Sequence, residues 1–210
     1  EYQMILAKAA PVWEEAKNTN NYDLYAPILV EIITYSKKFA GYKQKDGQKL
    51  YDVLLDDFEE GFTMEILDEF FGKLREALVP VVKEVSKKAD FISQDCLRKT
   101  YDIDTQRELS KFVAEYIGFD FNRGVMAETE HPFTTNLHNH DVRITNHYQE
   151  HKLEDAIFSV IHEGGHGLYE QGVSDEITLT PIGGGASMGM HESQSRFYEN
   201  CIGIPQQKED

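Results

Sequence analysis

Residues 162–166 read His-Glu-Gly-Gly-His, and this pentapeptide constrains the fold more than any other segment of the chain. Residues four positions apart share one face of an α-helix, so the His162 and His166 imidazoles can converge on one metal ion if this segment is helical. Glu163 follows the first histidine directly, where its carboxylate can reach a metal-bound water. The pattern predicts a helix with two metal ligands and a general base. The alternative is an amphipathic helix that carries two histidines by chance.

All eight histidines fall within one segment of the chain. They are His131, His138, His140, His147, His151, His162, His166 and His191. A solvated surface would not gather every imidazole in one stretch, so we expect the chemistry to be concentrated there. We assign residues 1–118 to a helical scaffold and residues 119–210 to the catalytic, metal-binding part of the same domain.

The composition excludes several classes of protein. A net charge of −16 argues against a nucleic-acid partner, because phosphates attract a high density of Lys and Arg. Cys96 and Cys201 are too few for a disulfide framework. No stretch reaches the length of a transmembrane helix, and the N-terminus lacks a signal-peptide pattern. We therefore expect a cytoplasmic protein with no membrane partner. Because the chain begins with Glu1 and no initiator Met, we expect it to start inside a longer protein.

Apolar residues recur with helical period in three segments of the scaffold. These segments follow Asn21, run from Thr63 to Lys88, and run from a cap at Asp104 or Thr105 to Gly118. We expect their apolar stripes to be core. From Phe119 to Tyr148 the period changes and predicts short strands beside the metal-binding helix, which begins near Leu153. A further helix is predicted over residues 186–199. The fold class is therefore mainly α, a long-helix bundle with a small β element.

A catalytic zinc typically takes three protein ligands and one water, so a third ligand must come from another element. The downstream candidates are Glu170, Asp175, Glu176, His191, Glu192 and Glu199. Glu192 lies on the helix after a glycine-rich turn, which suits a helix–loop–helix hairpin. We favour Glu192, with His191 as the rival. Glu170, one turn after His166, can orient a ligand histidine, but we favour a solvated helix face for it.

Two adjacent glycines occupy the middle of the histidine motif. Gly164 and Gly165 each cost about 1 kcal/mol relative to alanine in a helix interior. We therefore expect another helix or the substrate to lie close to the backbone at this point.

Four segments together identify a family. They read His-Pro-Phe at 131–133, Asp-Val-Arg-Ile-Thr at 141–145, His-Glu-Gly-Gly-His at 162–166 and Gly-Met-His-Glu-Ser-Gln-Ser-Arg at 189–196. In type, order and spacing they resemble the M32 family of metallocarboxypeptidases, the thermostable-carboxypeptidase type. The resemblance covers nearly the whole chain and fades near Cys201. It implies a gluzincin-like, neurolysin-like architecture.

The resemblance also implies roles for individual residues. The family's metal ligands fall on His162, His166 and Glu192, and its catalytic glutamate falls on Glu163. The implied cofactor is one divalent metal, with zinc preferred and cobalt or manganese as alternatives. The implied reaction is hydrolysis of a C-terminal peptide bond by a metal-activated water, with a peptide as substrate. Members of the family suggest a homodimer.

His131 and Arg143 match family motifs near the cleft, which implies substrate contact or support of an oxyanion. Each has a structural alternative. Arg143 can form a buried salt bridge with Asp141 or another carboxylate that organises the floor of the site, and His131 can serve as a structural hydrogen-bonding residue. His138, His140, His147 and His151 match no motif, so we expect surface positions or positions behind the metal ligands.

Members of this family are about twice as long as this chain, so we expect it to be a partial chain from the middle of the family's length. The arginines expected to hold a substrate's terminal carboxylate lie in the other half, and apolar helix faces are expected to be exposed. Two alternative functions remain: a related oligopeptidase or endopeptidase, and an inactive truncated remnant that binds metal.

Overall fold

The computed structural model describes residues 1–88, 93, 95, 97 and 99–203. It confirms a mainly helical chain with one small sheet. Two compact units are present, Glu1–Val79 and Pro80–Asp210.

No helix in the described part of the chain is long and apolar enough to cross a membrane. Cys201 is a free, exposed cysteine, and Cys96 lies outside the described residues. The predicted division at residue 118 separates a scaffold from a catalytic part, and it stays a prediction.

The first unit contains helices α1 (Tyr2–Asn18), α2 (Tyr22–Lys43) and α3 (Leu50–Asp56) and the start of α4 (Met64–Ser86). Helices α1 and α2 meet through aromatic rings: Tyr2 lies 5.6 Å from Tyr35 and 5.2 Å from Phe39 between ring centroids. The Asp52 carboxylate accepts a hydrogen bond from the Met64 backbone N–H at 2.8 Å, which ties α3 to the start of α4. The sequence predicted α2 and α4 but did not delimit α1 or α3.

Helix α4 corrects the prediction that its apolar stripe is core. None of its residues is buried in the described chain. The large apolar residues left exposed along it are Ile66, Phe70, Phe71, Leu74, Leu78, Val79, Val81, Val82 and Val85. Periodicity establishes that a helix has an apolar face, but it does not show that another part of this chain covers that face. The stripe instead matches the expectation of exposed apolar helix faces.

The second unit contains the end of α4, and its next described helix is α5 (Ile103–Ile117). The helix is capped by Asp102, whose side chain accepts from the Thr105 backbone N–H at 2.9 Å, and not by Asp104 or Thr105 as predicted. The helix ends where predicted, because Gly118 takes a left-handed φ of 103° that glycine adopts without steric cost.

A three-stranded sheet follows, with β1 (Gly124–Glu128), β2 (Thr134–His138) and β3 (Asp141–Asn146) in the order β1-β3-β2. The central strand β3 is parallel to β1 and antiparallel to β2, and an irregularity separates Asn136 from His138. This confirms the predicted small β element. In the edge strand β2, Thr134 pairs with Ile144 of β3. This register determines which β2 side chains face the candidate site.

The core lies where α5, β3 and α6 (Leu153–Gln171) meet. Its buried side chains are Ala114, Phe119, Val142, Ile144, Val160 and Ile161. The buried Asn146 side chain joins all three elements, since it donates to Ser110 Oγ at 3.1 Å and to the Ala156 carbonyl at 3.0 Å. The core therefore holds α6 rigidly against the sheet.

Helix α7 (Met188–Phe197) is shorter than predicted, and a π-helical turn, Tyr198–Ile202, continues from it. Ser187 caps α7 by accepting from the Met190 backbone N–H at 3.2 Å. Both segments pack against α6.

Candidate metal centre

His162, His166 and Glu192 come together between α6 and α7. One ligand atom from each lies within 4.8 Å of the other two. The Glu192 Oε2 atom is 3.6 Å from His162 Nε2 and 3.4 Å from His166 Nε2. The structure thus brings together the two motif histidines and the third candidate favoured from the sequence, while His191 lies outside this group.

The spacing of these atoms fits a tetrahedral metal site. Bonds of about 2.0–2.2 Å at a tetrahedral angle separate neighbouring ligand atoms by about 3.3–3.6 Å. The two distances from Glu192 Oε2 to the histidines fall in this range. Two imidazoles and one carboxylate are also the ligand types that a catalytic zinc site uses. Three of four positions are then filled by protein, and one is left for water.

A backbone contact sets the separation of the two helices. A Cβ placed on Gly165 would lie 2.8 Å from Ser195 Cα and 3.1 Å from the Gln194 carbonyl. Gly164 similarly faces the Ile117 side chain of α5. The expectation that neighbouring elements approach the motif glycines is therefore confirmed, and the neighbours are helices. Glu192 is three residues before Ser195, so this contact positions the third candidate ligand.

Each motif histidine has a polar partner on the ring nitrogen that faces away from Glu192. The His162 Nδ1 atom lies 2.8 Å from Glu199 Oε2, and a carboxylate there accepts the Nδ1–H hydrogen bond. This leaves the Nε2 lone pair of a neutral ring free to bind a metal. Glu199 lies on the π-helical turn after α7.

His166 is held through a longer relay. Its Nδ1 atom lies 2.6 Å from His191 Nδ1, and His191 Nε2 lies 2.6 Å from Glu170 Oε1. The other carboxylate oxygen of Glu170 accepts from Asn136 Nδ2 at 2.7 Å. If His166 Nε2 binds a metal, Nδ1 carries the proton, His191 Nδ1 accepts it, and the His191 Nε2–H donates to Glu170. One arrangement of protons therefore satisfies every contact.

Glu163 lies beside the two histidines in a largely dry environment. It is 8% exposed, and burial raises the pKa of its carboxyl, while a hydrogen bond from Thr134 and the charges of His162 and His131 act in the opposite direction. Thr134 Oγ1 donates to Glu163 Oε2 at 2.6 Å. A carboxylate with a raised pKa is a stronger proton acceptor, which suits a general base.

The site also shifts the pKa values of two candidate ligands. Burial, together with the nearby His191 and His162, lowers the pKa of His166 to about 4. The neutral, metal-binding form of this ring therefore persists into mildly acidic solution. Burial raises the pKa of Glu192, but the hydrogen bonds from Arg196 and Ser195 and the charge of His162 outweigh that effect and lower it overall.

A cavity of about 300 Å³ opens beside the histidines. It is lined by His131, Pro132, Phe158, Ser159, His162, Glu163, Arg196 and Glu199. The proposed base and one candidate ligand thus face a space that a substrate can enter.

A model of the Carboxypeptidase Taq (M32) metallopeptidase family matches residues 1–207. The chain belongs to the M32 metallopeptidase family. The match continues past Cys201, so the expectation that the resemblance fades there was wrong, although residues 204–210 lie outside the described structure. A metallopeptidase family implies a divalent metal, which agrees in type with the His162, His166 and Glu192 group.

Curated M32 relatives are similar along nearly all of this chain. Carboxypeptidase 1 of Bacillus subtilis is 42% identical over 206 residues, 97% of this chain and 40% of the relative. Thermostable carboxypeptidase 1 of Pyrococcus furiosus is 35% identical over 197 residues, 93% of this chain and 39% of the relative. The chain thus spans about 40% of the length of these relatives, in agreement with the expected partial chain.

Solved structures of M32 type share the fold. The crystal structure of BsuCP has a TM-score of 0.92 at 42% identity and covers 96% of this chain and 40% of its own. An M32 carboxypeptidase from Deinococcus radiodurans has a TM-score of 0.81 at 36% identity, with 96% and 40% covered.

The two residues assigned to the substrate lie in different places. His131 lines the cavity with Glu163. Arg143 lies between Val142 and Ile144, which face the core, so its side chain projects from the other face of β3. There it makes two hydrogen bonds to Asp141, at 2.8 and 2.9 Å. The alternative interpretation was right about the partner, Asp141, but wrong about burial, because both side chains are exposed. A substrate role for Arg143 stays a prediction.

The remaining histidines lie away from the candidate ligands. His140 Nε2 is 3.1 Å from Asp175, and the His140 backbone N–H donates to His138 Nδ1. His147 Nδ1 lies 3.1 Å from the Thr129 carbonyl, and His151 is exposed. Surface positions or positions behind the metal ligands were expected for all four; His140 and His151 are exposed, and His138 and His147 are half-buried.

Several residues of the site were missed or misplaced from sequence. Glu170 is 5% exposed and bonded to His191, so the favoured solvated face was wrong. The alternative, a carboxylate that orients a candidate ligand histidine, agrees with this contact. Glu199 and His191 were considered only as metal ligands, and Thr134 was not considered. The one sequence signal for Glu170 was its position four residues after His166, on the same helix face.

Proposed function

We propose that this chain carries the hydrolytic centre of a metal-dependent carboxypeptidase, which cleaves C-terminal peptide bonds. The observation that carries the proposal is the group of His162, His166 and Glu192, at tetrahedral ligand spacing, with Glu163 beside it and facing the same cavity as His162. Membership of the M32 family and relatives named carboxypeptidases support the choice of reaction.

We propose zinc as the metal, with cobalt and manganese as alternatives that the same ligand types accept. Bound in this group, the metal would supply Lewis-acid chemistry, lowering the pKa of a water and polarising the scissile carbonyl. The fold is proposed to be gluzincin-like: a His-Glu-x-x-His helix supplies two ligands, and a glutamate from a later helix supplies the third.

Side chains of the protein supply proton transfer, orientation of the histidine rings and contact with the substrate. Glu163 takes a proton from the attacking water and passes it to the amine nitrogen of the leaving residue. Glu199 and the His191–Glu170 relay hold the two histidine rings in orientation. His131 is proposed to contact the substrate, because it lines the cavity with Glu163.

The same proposal covers the division of the chain, its substrate, its location and its assembly. Residues 1–118 are the scaffold and residues 119–210 the catalytic part. The substrate is a peptide with a free C-terminus, the protein acts in the cytoplasm, and it assembles as a homodimer, as its family resemblance suggests.

The test compares the zinc-loaded protein with its Glu163→Gln variant on a short peptide. Wild type should release the C-terminal residue, while E163Q should bind zinc with similar affinity and lose at least about 100-fold in rate, because the base is gone. Equal rates in the two proteins, or a wild type that binds zinc without turnover, would overturn the proposal.

A second substrate separates the exopeptidase from an endopeptidase. The same peptide with an amidated C-terminus lacks the negative charge that a carboxypeptidase recognises. A carboxypeptidase should cleave the free acid and leave the amide intact. Equal cleavage of both peptides would favour an oligopeptidase or endopeptidase of the same chemistry.

A further inference from the structure

Thr134 makes a close contact with the proposed base from a different element. It is the first residue of the edge strand β2, and its hydroxyl lies 2.6 Å from Glu163 Oε2 and 3.1 Å from the Glu163 carbonyl oxygen. A hydroxyl has one proton, and the shorter contact has the length of a charge-assisted O–H···O hydrogen bond. The Thr134 proton is therefore directed at the carboxylate.

The sheet holds this hydroxyl in place. Thr134 pairs with Ile144 of β3. Ile144 is 1% exposed and belongs to the core that packs β3 against α6. A β-branched threonine also has few side-chain rotamers in a strand. The hydroxyl is thus fixed relative to α6 by the register of the sheet.

Glu163 depends on this donor. A buried carboxylate that is ionised needs hydrogen bonds to replace those it made to water. Thr134 supplies such a hydrogen bond to the Glu163 carboxylate. That bond draws electron density from Oε2, so Oε1, to which Thr134 does not donate, is the better proton acceptor of the two.

We propose that Thr134 is a positioning residue for Glu163: its hydroxyl holds Oε2, fixes the plane of the carboxylate and assigns the role of base to Oε1. The proposal rests on the proposed function for the chemistry that Glu163 performs. It adds that the edge strand β2, and not only the metal-binding helix, sets the geometry of the base.

Three variants of the full chain test this role. Thr134→Val removes the hydroxyl at nearly constant shape, and Thr134→Ser keeps it. Thr135→Val is the matched control, because Thr135 is the next residue of the same strand and its exposed side chain projects from the other face. In the zinc-loaded protein, T134V should lower kcat by about 10- to 100-fold with KM and zinc affinity unchanged. T134S should recover most of the rate, and T135V should match wild type.

An infrared measurement tests the contact without turnover. The difference spectrum between each protein and its Glu163→Gln counterpart isolates the Glu163 carboxyl bands. These bands should shift in T134V, return in T134S and stay unchanged in T135V. If wild type shows no hydrolysis but the bands shift, the proposed function fails while the positioning role of Thr134 stands.

Other outcomes overturn the role of Thr134 itself. Unshifted carboxyl bands in T134V would show that the hydroxyl does not hold Glu163. A T134V protein with wild-type kcat would show that the contact has no consequence for the base. A parallel loss of kcat and zinc affinity would make Thr134 a general structural residue and not a positioning one.

Discussion

The His166 and His191 rings meet Nδ1 to Nδ1 at 2.6 Å, so one proton must be shared between two imidazoles. Since Glu170 accepts from the far nitrogen of His191, the orientation of a candidate metal ligand depends on a buried carboxylate two residues away in the relay. His191 is thus next to the candidate ligand Glu192 in sequence, but in space it contacts the candidate ligand His166.

Breaking this relay should weaken metal binding. Glu170→Gln removes the carboxylate charge that orients His191, and outer partners of this kind contribute about 10- to 100-fold in metal affinity. Zinc titration against a chromogenic chelator measures the change. Glu176→Gln, on an exposed position of the following turn, is the control and should bind zinc as wild type does. Unchanged affinity in E170Q would mean that the relay does not act on His166.

Acid should destabilise the metal-free protein through His166. The pKa of this residue falls from about 6.5 when unfolded to about 4 when folded, so the unfolded chain binds the proton more readily between these values. Its contribution to the free energy of unfolding is therefore complete above pH 6.5 and decreases as the pH falls toward 4. Urea denaturation at several pH values, with a chelator present, should show a shallower pH dependence in His166→Gln. The exposed His151→Gln variant should keep the wild-type slope.

A methyl group at the α6–α7 contact should disturb both stability and metal binding. Gly165→Ala places a Cβ 2.8 Å from Ser195 Cα, which is backbone and can only move with its helix. Overpacking of this kind costs about 1–3 kcal/mol. Gly72→Ala in α4 is the control: no atom lies within 4 Å of its Cβ, and alanine gains about 0.5–1 kcal/mol of helix stability. Urea denaturation and zinc titration should separate the two variants, and a G165A protein as stable as G72A would contradict the contact.

The cap of α7 should contribute to the placement of Glu192. Ser187→Ala removes the side-chain acceptor for the Met190 N–H and should cost about 1 kcal/mol in the free energy of unfolding. Ser187→Asp keeps an acceptor at the same position and should stay near wild type. Equal loss in both variants, seen by urea denaturation, would show that the hydroxyl does not act as a cap.

The metal-binding helix could be predicted from sequence because its chemistry requires a particular spacing. His162 and His166 can bind one metal together only if the segment is helical, and the need for a third ligand from another element favoured Glu192, with His191 as the rival. The relay could not be predicted in the same way. Glu170 looks like a surface residue on its own helix, and only the packing of α7 and β2 around it buries the carboxylate.

Two other differences between the prediction and the structure also have local causes. The cap of α5 is Asp102 and not Asp104, because several short polar residues precede that helix and only geometry shows which one accepts from the Thr105 N–H. The stripe of α4 follows helical period, but period alone carries no information about what covers an apolar face.

The glycine at position 165 has a consequence for how this site can change. The backbone of α6 approaches the backbone of α7 there, so no side chain separates the two helices at this point. Under the proposed function, substitutions around the cavity can alter which substrates enter without altering the spacing of the candidate ligands at this contact. Substrate preference and metal coordination would then vary separately.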